Sequence, residues 1–351
     1  MSTATIDQER LDAFMGRVVG ELGATFNAVL VGLGDRLGLY AAMRDGDPVT
    51  PEELARRTGT YERLVREWLN AQAAGGFVDY DADDDTYRLA PEQAFALLDL
   101  DLPGAFRLIT STVRDEDGIL DAFRSGRGYG WHEHDHGLFE GTERFFRPGY
   151  QANLVTAWLP ALEGVEAKLR AGARVADLGC GHGSSTILMA QAYPESTFVG
   201  TDYHAGSIDA ARERAREAGV GDRVRFEVAD AEGLTGGPYD VVTLFDCLHD
   251  MGDPTAAARA IRERLAPDGT LMVVEPRAGD RVEDNLNPVG RLYYCASTTI
   301  CTPASLSQPG RAALGAQAGE SRLSAVLRAA GFGHVRRAAE TPFNMVLEAR
   351  P

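Results

Sequence analysis

A chain of 351 residues with 52 acidic against 35 basic side chains, a formal net charge of −17, exceeds a typical single domain and predicts two. That balance argues against a nucleic-acid footprint, which clustered Lys and Arg would have to supply; the single lysine, Lys168, follows an arginine-rich composition and not a function. Cys180, Cys247, Cys295 and Cys301 lack C-x-x-C spacing, MSTATIDQER is no basic-then-apolar leader, and no apolar run approaches ~20 residues, so a cytoplasmic protein with reduced thiols and no membrane contact is expected.

In chain order, Phe14, Val18, Leu22, Phe26, Leu30, Leu33 and Leu37 recur at helical spacing over residues 11–42, with Gly32 and Gly34 expected to separate two helices. Thr50-Pro51-Glu52-Glu53 reads as a helix start, Thr50 the N-cap, Pro51 first and Glu53 completing a capping box. A second helix over residues 61–74 ends at Gly75-Gly76, and a hairpin follows around residues 81–85. Helix, turn, helix and hairpin form a winged-helix unit over residues 1–95. As a DNA reader it is poor, because Glu62 and Glu67 flank Arg63 and Arg66 and the wing tip is Asp81-Ala82-Asp83-Asp84-Asp85, so a scaffold and dimerisation role is expected.

Residues 96–170 read as a helical linker and lid region. His132, His134 and His136 alternate but lack further ligands at metal spacing, which favours a polar surface or lid loop. Phe145 to Tyr150, with Arg147 and Tyr150 as candidate cofactor contacts, either closes over a cofactor or packs a domain interface.

Over residues 171–351 strands and helices alternate as in a parallel sheet covered on both faces, with strands expected at 174–178, 197–201, 224–228, 239–245 and 270–275. Helices are expected at 207–218 and 255–265, and an antiparallel edge pair at 332–338 and 343–349. After the first strand comes Asp177-Leu178-Gly179-Cys180-Gly181-His182-Gly183. Gly179, Gly181 and Gly183 let the backbone turn sharply and approach a ligand, and Asp202, about 25 positions on, is placed for ribose hydroxyls. A dinucleotide fingerprint would need a glycine where Ser184 stands, and Asp177 suits an ammonium better than a pyrophosphate; S-adenosylmethionine fits both features.

These motifs resemble the class I S-adenosylmethionine-dependent methyltransferases over residues 170–351. With the winged-helix front end, the whole chain is similar to small-molecule O-methyltransferases that dimerise through that region, in an actinobacterial branch whose N-terminal part is easily mistaken for a transcription factor. The resemblance implies a Rossmann-like, doubly wound α/β sheet and a homodimer. In it Asp177 and the glycine loop hold the methionine end and Asp202, with Tyr203 beside it, the ribose. Asp230-Ala231 lie at the adenine amino group, and Phe245 and Asp246 border the cofactor. Leu248-His249-Asp250-Met251-Gly252-Asp253 stands where the family has L-H-D-W-x-D, which makes His249 the expected general base for a small-molecule hydroxyl, although Met251 replaces the Trp. A structural role for His249 stays open. No metal is expected, because His249 and Asp250 have no convincing third ligand, although Cys301 lies downstream. The long insert 277–321, with Tyr293 and Tyr294, is expected to shape the substrate pocket. Two rivals remain: a metabolite-sensing transcriptional regulator, and an S-adenosylmethionine-binding enzyme that transfers no methyl group.

Overall fold

The structure is a computed structural model that describes residues 6–351; half of the stretch read for a leader, residues 1–5, lies outside the described residues. Two units emerge, each discontinuous in sequence: one runs up to Ser111 and includes Glu140–Pro148, the other comprises Thr112–Phe139 and Gly149–Pro351. The segment 96–170 is therefore shared between them.

In the first unit, α1 (Gln8–Arg36) begins at Asp7, whose carboxylate accepts from the Arg10 N–H, and runs unbroken through Gly32 and Gly34. The expected break is absent because Gly34 serves close approach, not termination: a Cβ there would lie 2.5 Å from the Trp68 ring and 2.7 Å from that of Tyr40. Trp68 also donates its indole N–H to the Leu30 carbonyl (2.9 Å). Apart from Ala28, Val31 and Gly34, α1 is not buried, and Phe14, Val19, Leu22, Phe26 and Val29 are exposed. Contrary to expectation, α1 is long and apolar enough to cross a membrane by length and composition, the one such helix among the described residues.

Helices α2 (Pro51–Thr58) and α3 (Glu62–Ala74) follow, then a hairpin of β1 (Asp79–Asp81) and β2 (Thr86–Arg88). Thr50 caps α2 by accepting from the Glu53 N–H (3.3 Å), and Gly59 ends it in the left-handed conformation. The capping box is incomplete, because the Glu53 carboxylate turns outward to Arg56 and Arg57. Val31, Leu54, Leu69, Tyr87 and Leu89 share the core.

The second unit is built on seven strands: β3 (Arg174–Leu178), β4 (Thr197–Asp202), β5 (Val224–Val228), β6 (Tyr239–Phe245), β7 (Leu265–Pro276), β8 (His334–Glu340) and β9 (Asn344–Arg350). Their order is β5-β4-β3-β6-β7-β9-β8, with the first five parallel and β9 antiparallel to both neighbours, as expected. β3 and β6 are buried almost throughout, because helices such as Ser184–Ala192, Ala205–Glu217 and Pro254–Arg264 cover the sheet. The chain winds from β3 outward to β5 and then returns to β6 on the other side. This reversal places a crevice between β3 and β6 at the carboxyl ends of the strands, the usual ligand position in open α/β sheets.

Candidate functional site

The loop after β3 takes its shape from glycine. Gly179, Gly181 and Gly183 have φ of 68°, 51° and 78°, the left-handed region that side-chain-bearing residues avoid. Gly183 has no room for a Cβ either, since it would meet Phe226 at 2.7 Å. Asp202, at the end of β4, ties the loop down: one oxygen accepts the Gly181 N–H (3.0 Å), the other the His204 N–H (2.9 Å). Burial raises its pKa, and those two donors oppose the rise. The neighbouring Tyr203 is exposed. Asp230, just past β5, is exposed and accepts the Gly233 N–H (2.6 Å), with Ala231 half-buried beside it.

Asp177, expected at an ammonium, is only 1% exposed. One oxygen accepts Ser185 and Thr186 hydroxyls (2.6 Å each) and the other the Thr243 hydroxyl (2.7 Å), so the carboxylate anchors the loop and the following helix from beneath. At the end of β6, Phe245 is buried, its ring 5.1 Å from that of Tyr150. Asp246 has φ of 50° and accepts the Tyr150 hydroxyl (3.0 Å) and the Asn344 amide (2.8 Å). Burial first, and Glu275 second, push the Asp246 carboxyl up to about 8. Arg147 belongs to the first unit, where Asp101 (2.9 Å) and Glu143 (3.4 Å) hold its guanidinium.

One turn beyond, Leu248–Asp250 forms a short 3-10 helix. Its Leu248 N–H donates to one Glu275 oxygen (2.9 Å), and the His249 Nδ1 pairs with the other. His249 Nε2 lies 3.1 Å from Asp250 Oδ1. Burial pulls the imidazole pKa down, but the Glu275 and Asp250 carboxylates outweigh it and hold the pKa well above its ordinary value. Nδ1 is thus taken by Glu275, while Nε2, the nitrogen expected to act as the base, faces Asp250 Oδ1 without a hydrogen bond between them. Cys301 is buried beside His249 and Asp250, the ligand-capable atoms of all three lying within 4.8 Å of one another. It closes a π-helical turn, Ser297–Cys301, within the insert 277–321, and Tyr293 in the same insert is buried, its hydroxyl donating to the Phe343 carbonyl (3.0 Å).

The His-rich stretch lies inside this unit and is partly internal. His134 is buried with Nδ1 2.8 Å from Asp115, His132 meets the Tyr203 ring edge-on, and Phe139 stacks on His204 at 4.3 Å. Trp131 donates its indole N–H to Asp250 Oδ2 (2.9 Å). Sequence reasoning gives no site role to Glu275, Trp131 or Asn344. Glu275 carries a signal, an acid closing the apolar run Leu271 to Val274, and Trp131 heads the His-rich stretch, whereas Asn344 has none.

Residues 169–321 match a family model described as a methyltransferase domain, and residues 25–98 one described as an Rv2258c-like winged HTH domain. The chain is 37% identical over 131 residues to the 27-O-demethylrifamycin SV methyltransferase of Amycolatopsis mediterranei, a match covering 35% of this chain and about half (48%) of that protein. Its fold is similar to that of mitomycin 7-O-methyltransferase, with a TM-score of 0.70 at 20% identity over 98% of this chain and 100% of the other. It is similar too to human N-acetylserotonin methyltransferase in complex with S-adenosylmethionine, with a TM-score of 0.71 at 15% identity over 100% and 99%.

Proposed function

We propose that the chain is an S-adenosylmethionine-dependent methyltransferase acting on an oxygen of a small molecule, a reading supported by the match of residues 169–321 to a methyltransferase-domain model and of residues 25–98 to an Rv2258c-like winged HTH model. The observation that carries this reading is the rim itself: the left-handed glycine loop, Asp202, Asp230 and Asp246 stand at the carboxyl ends of the adjacent strands β3, β4, β5 and β6. Each Asp202 oxygen accepts one backbone N–H and keeps a second lone pair, which suits two ribose hydroxyls. Asp230 is open to an adenine amino group. Phe245, with Tyr150 behind it, walls the crevice, and Asp177 keeps the loop in place from below. Tyr203 is exposed beside Asp202 and can cover the ribose.

S-adenosylmethionine supplies a methyl group on a sulfonium: as the acceptor oxygen forms its new bond to carbon, the carbon–sulfur pair returns to sulfur and the acceptor proton is lost. In this reading the proton passes to His249 Nε2, whose ring Glu275 orients through Nδ1. Aligning the reactants is the larger contribution, up to ~7 to 11 kcal/mol against the ~10² to 10⁴-fold of acid–base help.

The partner expected on α1 is a second copy of the chain, whose matching helix would cover Phe14, Val19, Leu22 and Phe26 in water, with no membrane required. Nucleic acid is a poor partner: Arg66 pairs with Glu52 and Glu62, Arg63 with Glu67, and the wing tip is acidic. Four free cysteines suit a reducing, cytoplasmic setting. Calorimetric titration with S-adenosylmethionine and S-adenosylhomocysteine tests the core of the reading. Wild-type protein is expected to bind both, and Asp202→Ala to lose at least tenfold in affinity; no binding by wild-type protein overturns it.

A further inference from the structure

We propose that His249, Asp250 and Cys301 bind a single divalent transition-metal cation. Three buried side chains of three donor types, nitrogen, oxygen and sulfur, place ligand-capable atoms within 4.8 Å of one another, the one such group among the described residues. Ligands about 2.0 to 2.3 Å from one ion stand roughly 3 to 3.7 Å apart across octahedral to tetrahedral angles. The 3.1 Å between His249 Nε2 and Asp250 Oδ1 falls in that range.

Asp250 supplies the independent observation. Its side chain is nine-tenths buried, yet Oδ1 accepts no hydrogen bond, although Nε2 is within hydrogen-bond distance. The two atoms approach without aligning as donor and acceptor, which is how two ligands of a shared ion stand. Buried polar atoms are otherwise almost always satisfied. Two of the three donors are also oriented from behind: His249 by Glu275 at Nδ1, and Asp250 by the Trp131 indole at Oδ2, with the Gln308 amide on its backbone carbonyl (2.8 Å). A carboxylate behind a histidine is the usual support of a metal-bound imidazole.

Charge balance points the same way. Asp250 and Glu275 both face one imidazole, and among the described residues no Arg or Lys forms an ion pair with either of them. Buried charges persist when they are paired or coordinate a metal. The mixed donor set excludes the oxygen-seeking Mg²⁺ and Ca²⁺ and fits Zn²⁺, Fe²⁺ or Co²⁺. Three protein ligands leave a position for an exogenous oxygen. If the methyltransferase reading holds, and this role alone rests on it, that oxygen is the acceptor hydroxyl, whose proton the cation would loosen.

The test uses tag-free, full-length protein stripped with a chelator, desalted and titrated with Co²⁺ while its absorption spectrum and thermal midpoint are followed. One Co²⁺ per chain is expected, with a thiolate-to-cobalt charge-transfer band and a rise in midpoint. Cys301→Ser should lose the band while keeping the wild-type melting profile without metal, and Asp250→Asn should bind at least tenfold more weakly at a temperature where it is folded. No uptake by wild-type protein, or a band that survives Cys301→Ser, overturns the site. Calorimetry with S-adenosylmethionine on the same samples separates the two proposals: cobalt bound without cofactor binding leaves the metal site standing and removes the transferase reading, and the converse removes only the metal.

Discussion

Asp177→Asn isolates what the buried carboxylate does. Three hydroxyls donate to it at 2.6 to 2.7 Å. Hydrogen bonds to a charged acceptor contribute ~1.5 to 3 kcal/mol each and neutral ones ~0.5 to 1.5, so the amide forfeits roughly 1 kcal/mol per bond, ~3 kcal/mol in all. Two effects reduce that. Burial raises the Asp177 pKa, so a neutral amide recovers part of the desolvation cost. Thr243 can also redirect its proton, since its hydroxyl lies 3.5 Å from the Ala176 carbonyl. A net loss of ~2 kcal/mol is expected, which for a unit of about 150 to 250 residues lowers the melting temperature by ~4 to 8 °C. Thermal unfolding of ligand-free protein, followed by circular dichroism, reads the stability. Cofactor calorimetry at a temperature where both proteins are folded reads the affinity. An unchanged melting temperature together with a tenfold or greater loss of affinity would refute the anchoring role and put Asp177 in contact with the ligand.

Asp246 makes the stability of chelator-treated protein depend on pH. Its folded pKa is raised from 3.8 to about 8, so the folded state holds a proton that the unfolded chain has released, and stability falls as pH rises through that window. At ~1.4 kcal/mol per pH unit the ceiling is ~6 kcal/mol, and partial exposure cuts this to ~2 kcal/mol. Urea midpoints of Asp246→Asn and wild type should therefore agree at pH 4.5 and favour the variant at pH 8.5; parallel curves across that range would contradict the assignment. In Gly200→Ala the new Cβ would fall 2.5 Å from the Phe226 ring and 3.0 Å from the Cys180 sulfur, a cost of ~1 to 3 kcal/mol. Adding Phe226→Leu should restore part of that stability, and a double variant no better than the single one counts against the clash. If α1 pairs two copies as proposed, wild-type protein should have a dimer's mass in light scattering at micromolar concentration and replacing Leu22 and Phe26 by Glu should halve it; an unchanged mass removes α1 from the pairing.

Signals confined to a few neighbouring residues were legible in the sequence. The glycine loop could be read because left-handed φ is a local demand that only glycine meets cheaply, and the strand positions because β3 and β6 are apolar runs bounded by turn residues. Where the same residue types answer a tertiary demand, local reading misleads. Gly34 looks like a helix breaker, yet it exists to admit Trp68 and Tyr40. Glu53 sits at capping-box spacing, yet two arginines one turn on compete for its carboxylate and win, because charge-assisted pairs outbid a backbone N–H.

The cluster at the end of β6 shows the limit most sharply. His249 and Asp250 are adjacent in sequence and were singled out together, but what each can do depends on Trp131, Glu275 and Cys301, which lie 119 positions before Asp250 and 26 and 52 positions after His249. No periodicity links such positions; only the sheet order, which sets β6 beside β7, and the π turn that ends at Cys301 bring them together. A histidine read alone is a base with a free lone pair. Here Glu275 holds Nδ1, and what the Nε2 nitrogen does, whether it carries a proton or binds a metal, is set by the Asp250 carboxylate and the Cys301 thiol beside it.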